Sequence, residues 1–167
     1  MWVRGPNLTP GYLNRPDPNA QRFQNGWLKT GDLFYRDADG YYFFRGRIDD
    51  MFFCGGENIY PLEVENILMR HPDVSNAAVV ALDDAVKGQI PAALVTLKSG
   101  KNLTADELKA FYLRNGPAFS HPRIISIVEQ LPLSGAGKVD RRAVRSSLLA
   151  GAPTEGGADW KTRSGHG

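Results

Sequence analysis

The sequence predicts an α+β fold: a small domain built on a three-stranded sheet with helices covering one of its faces, preceded by a β-rich segment. Three observations predict it. From residue 51 the apolar pattern alternates between β-like runs and helical stripes in the order β-α-β-β-α-β-α. Two helix starts are written in the local chemistry, at Pro61 and at Thr104. Before residue 46 the chain is rich in Gly, Pro, Asn and aromatic residues and shows no helical stripe.

Taken in order, residues 1–26 carry the turn signals Gly5-Pro6-Asn7, Pro10-Gly11 and Arg15-Pro16-Asp17-Pro18, and are expected to be irregular or edge-β. Met1-Trp2-Val3-Arg4 reads as a strand already in progress. Leu33–Arg36 and Tyr41–Arg45 form a hairpin around the turn Asp37-Ala38-Asp39-Gly40. The short polar stretch Gly46–Asp50 marks a domain boundary, giving segments 1–48 and 49–150. Met51-Phe52-Phe53 is a brief strand broken by Gly55-Gly56. Pro61 opens a helix whose stripe is Val64, Ile67 and Leu68, and His71-Pro72 ends it.

Val74–Leu82 and Ile90–Leu97 are strands joined by a polar loop. Thr104 and Glu107 form a capping box, with Leu103 and Leu108 placed as a staple. Leu108, Phe111 and Tyr112 form the buried face of that helix. Ile124–Val128 is the third strand, Pro132–Lys138 a loop with two glycines, and Asp140 caps a last helix through Leu149. Residues 151–167, rich in Gly, Ser and charge, are expected to be a disordered tail.

Composition narrows the functional classes. The chain has 167 residues, 42% hydrophobic and 23% charged, ordinary for a globular protein. A net charge of +2 argues against nucleic acid as the partner. No apolar run approaches membrane-spanning length and no signal pattern opens the chain, so the cytoplasm is the expected compartment. The single cysteine, Cys54, sits among Phe52, Phe53 and Gly55 and reads as packing rather than as a nucleophile.

Four short segments carry chemistry. In Thr30-Gly31-Asp32 a carboxylate beside a glycine turn suits the two hydroxyls of a ribose, though a plain turn has the same appearance. In Gly46-Arg47-Ile48-Asp49-Asp50 an arginine fork suits phosphate or ribose oxygens, or forms a surface ion pair. Cys54-Gly55-Gly56-Glu57-Asn58-Ile59-Tyr60-Pro61 permits close backbone approach to a ligand, or simply connects a strand to a helix. Pro132-Leu133-Ser134-Gly135-Ala136-Gly137-Lys138 presents one lysine on a Gly-rich loop, either to a phosphate or to solvent. Neither a Walker nor a Rossmann pattern is present.

In this order the four segments resemble the C-terminal third of the adenylate-forming (AMP-binding) superfamily, which includes acyl-CoA synthetases, peptide-synthetase adenylation domains and luciferases. The resemblance runs from about Trp2 to Leu149 and is nearest to the acyl-CoA synthetase branch. It implies an ATP-dependent acid–CoA ligase: acid and ATP give acyl-adenylate and pyrophosphate, then CoA gives acyl-CoA and AMP. It further implies Asp32 and Arg47 as nucleotide-binding residues, Asp49 as the hinge, Gly55 and Gly56 along the CoA path and Lys138 as the catalytic lysine. Mg²⁺ is expected with ATP, but the chain offers no identified metal ligand. The family's large N-terminal domain, with its phosphate loop and acyl pocket, has no counterpart here, so the chain alone is expected to lack ligase activity. The acid is unreadable, with fatty, aromatic and short-chain acids all open. The alternatives are a carrier-protein-loading adenylation enzyme and a stand-alone, non-catalytic partner-binding domain.

Overall fold

The computed structural model describes residues 1–151, and the expectation for 152–167 lies outside the described residues. Its sheet strands are short until residue 74. β1 (Trp2–Val3), β3 (Trp27–Lys29) and β2 (Phe23–Gln24) make a small antiparallel sheet. Between β1 and β2 lies a helix that the turn signals concealed, α1 (Pro16–Arg22). Pro16 and Pro18 read as breakers, but prolines in a first turn forfeit only N–H groups that have no helical partner, and Asp17 favours the same end.

β4 (Asp32–Arg36) and β5 (Tyr42–Arg47) form the expected hairpin. Asp37 Oδ1 accepts from the Tyr41 amide at 2.8 Å and closes the turn. Its register shifts once. Leu33 pairs with Gly46 and Phe34 with Phe44, so Arg45 is an extra, bulged residue. A turn of 3₁₀ helix, Ile48–Asp50, follows.

Gly55-Gly56 does not merely break a strand. It is the two-residue turn of a second hairpin, β6 (Phe52–Cys54) with β7 (Glu57–Ile59). Both glycines have positive φ, 58° and 90°, as a tight hairpin turn requires. α2 (Pro61–Leu68) starts at Pro61, as expected.

β8 (Val74–Asp84) and β9 (Gly88–Leu97) are antiparallel, and β10 (Ile124–Ile127) adds in parallel to β9, giving the order β10-β9-β8. α3 (Ala105–Asn115) supplies the crossover between β9 and β10. The expected capping box is present: Thr104 Oγ1 accepts from the Glu107 amide at 3.2 Å, and the Glu107 carboxylate accepts from the Thr104 amide at 2.8 Å. Those bonds from Thr104 hold the Glu107 carboxyl below the usual glutamate range. Thr104→Ala is expected to destabilise the chain by about 1 kcal/mol, read as a lowered denaturant midpoint with unchanged slope.

The helices cover both faces of the sheet, not one. On one face Ala77, Val79, Ala93, Val95 and Ile125 meet Val64 and Leu68 of α2 and Leu108 and Tyr112 of α3. On the other, Ala78, Val80, Ala92 and Leu94 meet Val144 and Leu148 of α4 (Arg141–Gly151). Gly151 therefore belongs to that helix rather than to the tail. Burying one leucine as fully as Leu68 or Leu148 contributes roughly 1.5–3 kcal/mol.

Cys54 is buried, as expected of a packing residue. The Tyr112 hydroxyl, buried, shares a 2.8 Å hydrogen bond with Ser120, and burial pushes its phenol above the ordinary range. Every buried apolar core side chain lies at or after Phe52. Before it, only Gly31 and Gly46 are buried. Among the described residues no helix is long and apolar enough to cross a membrane.

Candidate functional site

Asp32 and Arg47 face each other at the open end of the β4–β5 hairpin, as paired residues of its register. Nη1 of Arg47 donates to Oδ1 of Asp32 at 3.0 Å. The local turn is built by its own residues. Thr30 Oγ1 accepts from the Asp32 amide at 3.1 Å, and the Ile48 amide donates to the Gly31 carbonyl at 2.8 Å. Gly31 has φ +80°, and a Cβ there would stand 3.2 Å from Nη2 of Arg47, so the arginine occupies the space that a side chain would need.

Arg47 also lies 3.6 Å from Oδ2 of Asp49, and Arg22 lies 3.8 Å from the same oxygen. Arg22 Nη1 further donates to the Thr30 carbonyl at 3.3 Å. The four charges form one partly exposed corner, with a cleft of about 170 Å³ between Gln21, Arg22, Lys29, Gly31, Ile48 and Asp49. Ion pairs this exposed contribute about 0–1 kcal/mol each, so stability does not account for the cluster. Its chemistry suits a polyhydroxyl anion. Among the described residues Asp32 Oδ2 makes no hydrogen bond and is open to a hydroxyl donor, while the two guanidinium groups offer donors to oxygens. Arg22 was missed because the helix carrying it was read as irregular chain.

Gly55 and Gly56 stand exposed at the tip of the β6–β7 hairpin. The Gly55 amide donates to the Lys87 carbonyl at 3.2 Å, which braces the tip against the β8–β9 loop. A Cβ on Gly56 would meet nothing within 4 Å. The turn therefore presents bare backbone to open space.

Lys138 lies on a tight loop. The Ser134 amide donates to the Lys138 carbonyl at 2.7 Å and the Gly137 amide to the Ser134 carbonyl at 2.8 Å, with Gly137 at φ +71°. A Leu133–Val139 bridge closes the base. Asp140 then caps α4, accepting from the Arg142 and Ala143 amides at 3.0 and 3.1 Å. The Lys138 side chain is exposed and makes no ion pair or hydrogen bond among the described residues. No such contact joins it to the Asp32–Arg47 corner. The structure thus brings Asp32, Arg47 and Asp49 together and holds Gly55-Gly56 and Lys138 on separate tips. Among the described residues no group of three His, Cys, Asp or Glu side chains is placed to hold a metal ion.

Arg141, which ends the fourth sequence segment three residues after Lys138 and reads there as part of a basic surface, is a junction in the structure. Its Nη1 donates to Glu65 Oε1 at 2.8 Å and to the Val79 carbonyl at 2.6 Å, and its Nε lies 3.3 Å from Asp50 Oδ2. Glu65 Oε1 in turn accepts from the Val79 amide at 2.9 Å. β8 is an edge strand, so these two side chains pair the outward N–H and C=O of Val79 that a further strand would have paired.

Residues 63–138 match the AMP-binding enzyme C-terminal domain. The 2-succinylbenzoate–CoA ligase of Geobacillus sp. (strain WCH70) is 39% identical over 146 residues, 87% of this chain and 30% of that protein. The amide bond synthetase of Marinactinospora thermotolerans superposes with a TM-score of 0.83 at 34% identity, over 88% of this chain and 30% of its own. The o-succinylbenzoate CoA synthetase of Bacillus subtilis, solved with its acyl-adenylate intermediate, gives 0.79 at 38% identity, over 86% and 29%. The chain spans about 30% of the length of the relatives it matches. With the family's C-terminal domain over residues 63–138 and its fold reproduced across most of its length, the chain belongs to the adenylate-forming (AMP-binding) enzyme superfamily.

Proposed function

We propose that this chain supplies the C-terminal, lysine-bearing part of an ATP-dependent acid–CoA ligase. One observation carries the proposal: the charged groups that nucleotide chemistry needs are present, and two of them keep capacity to spare. Asp32, paired through one oxygen with Arg47, keeps the other for a ribose hydroxyl, and Lys138, beside a Gly-rich turn, makes no ion pair or hydrogen bond through its side chain among the described residues. In this reading Asp32 and Arg47 hold the nucleotide, and Lys138 meets the negative charge that develops as the acid attacks the α-phosphate. Mg²⁺ accompanies the ATP. CoA then reaches the adenylate past the bare backbone of Gly55 and Gly56. Residues 1–48 belong with the large domain and residues 49–150 form the mobile one, a division supported by a core that begins at Phe52. The cytoplasm is the compartment we propose, where an unpaired Cys54 stays reduced.

The test is a hybrid in which residues 1–151 replace the matching C-terminal part of the Bacillus subtilis o-succinylbenzoate CoA synthetase. Pyrophosphate release and CoA-thioester formation are expected from the hybrid and neither from the 167-residue chain alone. A folded hybrid silent in both half-reactions rejects the proposal. The resemblance to an amide bond synthetase favours one second reading, in which an amine replaces the thiol; adenylate formation followed by amide but no thioester would select it. In the same hybrid, Gly56→Asn, a side chain that tolerates positive φ, is expected to slow thioester formation on the order of 10- to 100-fold while adenylation changes little. A larger loss in adenylation than in thioester formation would count against Gly56 lying on the CoA path.

A further inference from the structure

Two adjacent aspartates in the turn Ile48–Asp50 are tied to opposite parts of the chain. Asp49 is held from before the turn, 3.6 Å from Arg47 and 3.8 Å from Arg22. Asp50 is held from after it, 3.3 Å from Arg141 at the start of α4. The link between them is where the backbone passes from one set of ties to the other.

Beyond the two pairs that reach Asp49 at the boundary itself, a further ion pair joins β5 to α2. Nε of Arg45 on β5 donates to Oε1 of Glu63 on α2, and the same guanidinium lies 5.0 Å from the ring centre of Tyr60. The bulge delivers it: Arg45 is the one residue of β5 without a partner across the hairpin. The surrounding seam is not packed like a core. A cleft of about 210 Å³ runs between Phe44, Gly46, Tyr60 and Leu62, and the Arg45 and Glu63 side chains remain 45% and 40% exposed.

We propose that Arg45–Glu63, with Tyr60 beneath the arginine, is an interlock that holds residues 1–48 against the domain beginning at Asp49 and favours one orientation of the two. The proposal rests on the division of the chain into two bodies given above. An exposed ion pair with a cation–π contact biases such an equilibrium by roughly five- to tenfold, which favours one orientation without freezing it.

The test uses the 167-residue chain with Cys54→Ala and spin labels on Tyr41→Cys and Val86→Cys, positions 68% and 90% exposed in the native chain. Pulsed distance measurement is expected to show one dominant separation. Arg45→Met and Glu63→Gln should each raise the ratio of a second separation to the first by about five- to tenfold. The double variant should do no more than either, and the exchanged pair Arg45→Glu with Glu63→Arg should restore most of the first. A second separation raised by only one of the two substitutions overturns the pairing. A two-glycine insertion between Asp49 and Asp50 separates the remaining cases. If it broadens the distribution while both single substitutions leave it unchanged, the two bodies stand and the interlock falls. If even the insertion leaves one sharp separation, the two-body reading falls and the interlock with it.

Discussion

Lys138→Ala in the hybrid ligase is expected to lower acyl-adenylate formation by roughly 10²–10³-fold and to spare thiol attack on supplied acyl-adenylate. The magnitude follows from charge. A lysine ammonium about 4 Å from a developing anion contributes about 4 kcal/mol at an effective dielectric near 20, comparable to removing one oxyanion donor. The selectivity follows from placement. Lys138 follows a two-glycine turn with a closed base, and no ion pair or hydrogen bond among the described residues ties it to the Asp32–Arg47 corner. Its charge is thus available to one step and removable from the next. Separate assays of pyrophosphate release and of thioester formation from synthetic adenylate decide the matter. An equal loss in both would sink the assignment.

Arg141→Leu is expected to destabilise the 167-residue chain by roughly 3 kcal/mol, measured by urea unfolding. Glu65 is 6% exposed, and without Arg141 its carboxylate keeps, among the described residues, only the Val79 amide as a partner. A buried pair can often be exchanged for two apolar residues at little cost. Here that rescue should fail. Glu65→Leu with Arg141→Leu strands both the N–H and the C=O of Val79 on the sheet edge, at about 1–3 kcal/mol for each group. The double variant should therefore stay at least about 2 kcal/mol below the parent. A return to parental stability would show that the two side chains act only as an ion pair and not as the substitute for a strand.

Helix and strand identity was legible wherever a signal acts over a few residues. The Thr104–Glu107 box needs only a three-residue spacing, and Pro61 places a helix start by its own φ. The Asp32–Arg47 pair was half legible: both residues were singled out, and the turn at Asp37–Gly40 folds their strands together, but the bulge at Arg45 that completes the register was not. A residue slipped out of pairing leaves no local mark in the sequence. The second face of the sheet left a clue that periodicity did not convey. Ala77-Ala78-Val79-Val80-Ala81-Leu82 is apolar on both alternating sets, which is the pattern of a strand covered on both sides.

The amino-acid sequence by itself determined the order of helices and strands from Pro61 onward and their caps, because turns, caps and periods depend on neighbours in the chain; Asp32, Arg47, Asp49, Gly55, Gly56 and Lys138 were singled out by motifs whose order resembles the family's. Only the tertiary structure decided that α4 covers the face opposite α2 and α3, that Arg22 joins the Asp32–Arg47–Asp49 corner, that Arg45 reaches Glu63, and that Arg141 meets Glu65 and Asp50. The reason is physical. Arg141 and Glu65 are 76 residues apart, and a guanidinium finds its carboxylate through the packing of whole elements rather than through any spacing along the chain.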